Sequence, residues 1–142
     1  MRSVTEFVSD LTSPPDTVDE VHSLLECMWE AEPLVSAGVR MRFETALIEL
    51  ATNVVQHADR GNGVAWTVRI ASSETSLTAE IVDSNPSEGF TPSVRRSMPP
   101  DLAEEGRGLA LVHLLVDSAT FDATEHGGVW RIRLSRAMSA EG

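Results

Sequence analysis

The sequence has a single cysteine, Cys27, among its 142 residues. An intrachain disulfide framework is excluded, which fits a reducing cytoplasm. Cys27 falls among apolar helical positions, so a buried, inert thiol is expected. Basic residues are few: 11 against 22 acidic ones, a formal charge of −11. An acidic field repels phosphate backbones, so nucleic acid is not expected as a direct partner. A basic protein surface is a better match, and the charge would speed that encounter. Long apolar runs are missing too. The longest, residues 109–116, is interrupted by His113, well short of the ~20 residues that span a bilayer. The first ten residues lack the apolar centre of a signal peptide. Neither an internal repeat nor a low-complexity tract is present. A cytoplasmic protein with no membrane association is the expectation.

What remains is ordinary globular composition, 42% hydrophobic and 23% charged. The length predicts one domain over residues 1–142, able to bury roughly 68–70% of its unfolded surface.

Residues 4–8 are β-prone. Ser13-Pro14-Pro15-Asp16 reads as a helix start, with a serine cap and prolines in the first turn. Val18, Val21, Leu24, Leu25, Met28 and Trp29 follow at helical spacing, and Pro33 and Gly38 mark a break. A longer helix is predicted over 39–58, ended by the turn-forming run 59–63. Val64, Trp66, Val68 and Ile70 alternate with Ala65, Thr67, Arg69 and Ala71, and Leu77, Ala79 and Ile81 repeat the pattern up to Asp83. Residues 84–105 hold four prolines and no clear period, the mark of a functional or disordered loop. Gly106-Arg107-Gly108 opens an apolar helix ending near Asp117. Two strands follow, over 119–124 and 129–134, turned by His126-Gly127-Gly128. The order β-α-α-β-β-loop-α-β-β predicts a two-layer α/β sandwich, with helices on one face of a mixed, mostly antiparallel sheet.

Three features could carry chemistry. On the long helix, with Glu49 at zero, Asn53 falls near ~40° and His57 near ~80°. This polar row either faces solvent or lines a cavity, because the helix is apolar nearly all round apart from Glu44. An amide oxygen is a hard ligand that suits Mg²⁺, and a neighbouring carboxylate can take a proton from a hydroxyl. Second, Asp83 ends a strand; it is either a turn residue or an acceptor for a ligand amine. Third, glycines before a helix allow backbone amides to approach a phosphate, although their spacing is neither that of a P-loop nor that of a Rossmann fingerprint. The four histidines are scattered, with no Cys/His pair at zinc spacing. Trp66 and Trp130 are expected to pack in the sheet.

The order of these parts resembles the ATP-binding domain shared by gyrase, histidine kinases and mismatch-repair ATPases. Glu49-Leu50-Ala51-Thr52-Asn53-Val54-Val55-Gln56-His57 and Gly106-Arg107-Gly108-Leu109, in a short chain, look most like the anti-sigma-factor serine kinases. The resemblance implies ATP and Mg²⁺ as ligands, with Asn53 on the metal and Glu49 as general base. It implies that Asp83 reads the adenine amino group, with Asn85 where the family usually has glycine. Gly106, Arg107, Gly108 and Leu109 would hold phosphates at the edge of a lid formed by residues 84–105. The implied partners are a small antagonist phosphorylated on serine, a sigma factor and a second copy of the chain. Asn85, and Val129 where family members often have threonine, both fall at the base pocket. They keep a second reading open: a binding module of the same fold with weak or absent catalysis.

Overall fold

Alternation along residues 64–72 puts Val64, Trp66, Val68 and Ile70 on one side of a strand, and that side is buried. The same rule applied to residues 76–83 buries Leu77, Ala79 and Ile81, and applied to residues 127–135 buries Trp130, Ile132 and Leu134. One face of a sheet is thereby made apolar and needs a cover.

A computed structural model of the chain describes residues 4–13, 16–58, 64–83, 106–124 and 127–136. The elements are β1 (Thr5–Ser13), α1 (Asp19–Ala31), α2 (Ala37–Ala58), β2 (Val64–Ser72), β3 (Ser76–Asp83), α3 (Gly106–Leu115), β4 (Ser118–Thr124) and β5 (Gly127–Ser135). The five strands form one sheet in the order β1-β2-β3-β5-β4. The predicted sandwich is present, but every described pairing is antiparallel, so the sheet is not mixed. Two hairpins, β2-β3 and β4-β5, impose that direction on four of the strands.

The helices cover the apolar face. Val21, Leu24, Leu25 and Met28 of α1 are buried, as are Val39, Phe43, Ala46, Leu47, Leu50, Ala51 and Val54 of α2. The helix α3 packs on α2 and buries Val112. The other face of the sheet is polar. It carries the pairs Arg69–Glu6 at 3.3 Å and Arg131–Glu80 at 2.9 Å, and a hydrogen bond from Thr67 to Asp10. No helix among the described residues is long and apolar enough to cross a membrane.

Local expectations fail at four places. Ser13 does not cap a helix: β1 runs through it, paired with Val64, and α1 starts only at Asp19. The start signal is Thr17, whose Oγ1 accepts from the Asp19 N–H while its own N–H donates to Glu20 Oε1. That is a capping-box exchange one residue before the N-cap. Pairing with β2 outcompetes the local serine–proline signal. Similarly, α2 is capped by Ser36, whose Oγ accepts from the Val39 N–H at 3.2 Å, so the helix begins two residues earlier than its spacing predicts.

Cys27 is exposed rather than buried. At about 100° per residue it lies roughly 110° from the centre of the stripe formed by Val21, Leu24, Leu25 and Met28. Finally, the register Thr124↔Gly127 makes Gly127 and Gly128 part of β5, not of the turn; only residues 125 and 126 separate the strands.

At one end of the sheet a polar network ties four segments together. Arg136 donates to Glu32 Oε1 at 2.9 Å, to Ser72 Oγ at 2.9 Å and to the Ser73 carbonyl at 2.6 Å. Thr5 donates to the other Glu32 oxygen at 2.7 Å.

Candidate functional site

The opposite end of the sheet is the chemically interesting one. Asp83 closes β3 and pairs with Trp66, near the start of β2. Five residues join Ala58 at the end of α2 to Val64 at the start of β2. That short connection keeps the Asn53 half of α2 at the Asp83 end, since a residue spans at most ~3.6 Å.

Among the described residues, three polar or charged side chains are buried: Asn53, Ser72 and Asp83. Ser72 is satisfied by Arg136 in the network at the other end. Asp83 accepts from the Gly128 N–H at 3.3 Å. Among the described residues the Asn53 amide nitrogen has no hydrogen-bond partner, although the residue is only 6% exposed. An unpaired buried amide costs about 1–3 kcal/mol, so its retention points to a ligand rather than to folding. Oxygen and nitrogen of an amide exchange by a flip of the group, so this position can present either a donor or a hard oxygen.

Glu49 lies one turn before Asn53 and is half-buried. It lines a groove of about 400 Å³ with His22, Met41, Glu44, Thr45 and Ile48. Glu44 spans the groove wall to α1, with Trp29 Nε1 donating to its Oε1 at 3.2 Å and His22 Nδ1 lying 3.5 Å from Oε2. The exception noted in the apolar pattern of α2 is therefore a tether between helices. The polar row is not a solvent face along its length, because Asn53 is interior. The side chain of His57 lies outside the described residues.

Gly106, Arg107, Gly108 and Leu109 form the first turn of α3. The far end of α3 is bound to the Arg133 end of β5 through Asp117, whose N–H donates to the Arg133 carbonyl. The first turn is the end of α3 away from that attachment. The side chains of these four residues, Asn85, and the expected lid over 84–105 all lie outside the described residues.

Gly127 and Gly128, expected in the turn before the last strand, both abut Asp83. Gly127 has φ +132°, and a Cβ there would overlap the Asp83 carbonyl oxygen. A Cβ on Gly128 would come within 2.8 Å of Asp83 Oδ2. A double glycine at a strand start, rather than one in a loop, was the available signal for close backbone approach.

The donor set suits a hydrated Mg²⁺ held by few protein ligands plus phosphate oxygens. Among the described residues no three His, Cys, Asp or Glu side chains converge. The orphaned Asn53 amide is the position that fits such an ion.

No curated protein matches the chain. The family model of the histidine kinase-like ATPase domain matches residues 11–134, and the chain belongs to that family.

Proposed function

We propose that the protein is a serine-protein kinase of the anti-sigma type, which phosphorylates a small antagonist protein and in its other state sequesters a sigma factor. Family membership carries the coarser statement, ATP binding and ATP-dependent phosphoryl chemistry. The observation that supports catalysis at this site is the buried, unpartnered Asn53 amide one turn beyond Glu49. The finer reading rests on the likeness of residues 49–57 and 106–109 to the anti-sigma kinases.

In this reading Asn53 would present its amide oxygen to Mg²⁺. The ion, bound with the nucleotide, supplies neutralisation of phosphate charge. Asp83 accepts a hydrogen bond from the adenine amino group. Backbone amides in the first turn of α3 face phosphate oxygens, and Arg107 adds a positive charge there. The serine hydroxyl oxygen of the antagonist attacks the γ-phosphorus. Its bond to phosphorus forms as the bond to the β-phosphate oxygen breaks, and ADP leaves. Glu49 takes the hydroxyl proton, a role worth about 10²–10⁴ in rate. The net charge of −11 favours basic patches on both protein partners. A homodimer is the proposed working state.

Calorimetric titration of ATP and ADP, with and without Mg²⁺, tests the site. Saturable binding that Asn53→Ala weakens chiefly when Mg²⁺ is present is the expected result. Absence of binding at millimolar nucleotide would overturn the kinase reading in favour of a binding module without catalysis. Phosphoserine on a co-expressed antagonist tests the substrate class.

A further inference from the structure

Gly128 has no backbone reason to be glycine. Among the described residues the positive φ belongs to Gly127 alone, so any residue could adopt the conformation at 128. What a side chain there would meet is space already taken. An added Cβ would lie 2.8 Å from Asp83 Oδ2 and 2.8 Å from the Phe121 ring. That ring is half-buried and packs against the buried Trp130 with centroids 4.2 Å apart, so displacing it would disturb this contact. At the same position the Gly128 N–H donates to Asp83 Oδ2 at 3.3 Å, inside the protein. We propose that Gly128 is a positioning residue for base recognition: its N–H and its missing side chain together set the orientation of the Asp83 carboxylate.

The need for such a device follows from the aspartate itself. The torsion that turns a carboxylate about its last carbon–carbon bond is broad, so a rotamer does not fix the plane of the group. A hydrogen bond from a strand can. β5 is an interior strand, paired with β3 on one side and β4 on the other, so its amide is a fixed reference point. An ionised carboxylate offers about four lone-pair sites, so the bond from Gly128 and one from a ligand can coexist on it. A carboxylate held this way accepts from an exocyclic amine and opposes a carbonyl oxygen at the same place. It therefore selects a 6-aminopurine over a 6-oxopurine. The adjacent glycines divide the work. Gly127 lets the backbones of β3 and β5 close together, whereas Gly128 governs the carboxylate.

The inference rests on the proposed role of Asp83 toward adenine, and the experiment separates the two. Dissociation constants for ATP and inosine triphosphate are measured by calorimetry for wild type, Asp83→Asn, Gly128→Ala and Gly128→Ala/Phe121→Leu, with urea unfolding of each. The double variant removes the clash with the ring but not the one with the carboxylate. Wild type is expected to prefer ATP, and Gly128→Ala to lower that preference by roughly tenfold, mainly through weaker ATP binding. The double variant should regain stability but not the preference. A preference kept in a folded Gly128→Ala, or restored in the double variant, would overturn the inference and leave glycine there merely to make room for Phe121. A preference unchanged in Asp83→Asn would remove the base-reading role and this inference with it, while nucleotide binding stood. No nucleotide binding by wild type would sink the functional reading itself. Hydrogen exchange of the Gly128 amide supplies a readout independent of the glycine variants: protection in wild type that falls in Asp83→Ala, which has no acceptor, is expected, and equal exchange in both would overturn the proposal.

Discussion

One helical turn separates Glu49 from Asn53, and within that turn α2 passes from a half-buried groove wall to the protein interior. The carboxylate is accessible where a substrate hydroxyl could reach it. The amide is held where water is scarce and its nitrogen has no partner. An unsatisfied buried group in a well-packed helix costs stability, which the proposed metal-binding role of Asn53 accounts for.

Asn53→Ala should accordingly cost less than about 1 kcal/mol of stability, or add some, despite lying in the core. An ordinary buried residue of that size would cost more. Urea unfolding without nucleotide checks this, and a loss above about 3 kcal/mol, more than loss of a small amide group to a cavity explains, would mean the amide is structurally bonded.

Glu49→Gln preserves shape and removes the proposed proton acceptor. Phosphoryl transfer to the antagonist should fall by about 10²–10⁴, with nucleotide affinity little changed. A wild-type rate measured by single turnover would remove Glu49 from the mechanism.

Arg136→Ala should be among the more damaging changes away from the core. It strips partners from Glu32 and Ser72, and both members of the ion pair are less than a fifth exposed. A loss of about 2–3 kcal/mol is expected, with nucleotide affinity retained, because the network lies at the sheet end remote from Asp83. Denaturant unfolding and calorimetry together distinguish the two effects.

Arg69→Ala provides the contrast. Its partner Glu6 is 3.3 Å away, but the side chains are 50% and 45% exposed. Solvent screening limits such a pair to less than about 0.5 kcal/mol, so the unfolding midpoint should scarcely move.

Phe43→Ala removes a fully buried ring that meets Trp29 edge-on at 6.3 Å. A cost of about 3–5 kcal/mol is expected from the cavity. A midpoint close to wild type would show that α1 and α2 can collapse around the gap.

Much of this molecule follows from residue order alone. Alternation of apolar and polar residues specifies β2 and β3, because a strand buried on one face must repeat every second residue. The apolar spacing from Val39 to Val54 specifies α2 for the same kind of reason at a period of 3.6. Asp83 falls where the alternation of β3 calls for an apolar residue, whereas the row from Glu49 to Asn53 is open in sequence between a solvent face and a cavity wall. Tertiary structure decided what local rules cannot. Strand pairing with Val64 drew Ser13 into β1 and displaced the helix start to Thr17. The rotation of α1 against the sheet left Cys27 outside. Contact between segments 45 residues apart turned two glycines that read as a hairpin into the wall behind Asp83. Periodicity is set by neighbours along the chain, so sequence carries it; burial of a particular polar atom, and the backbone that faces it, depends on which distant segments meet.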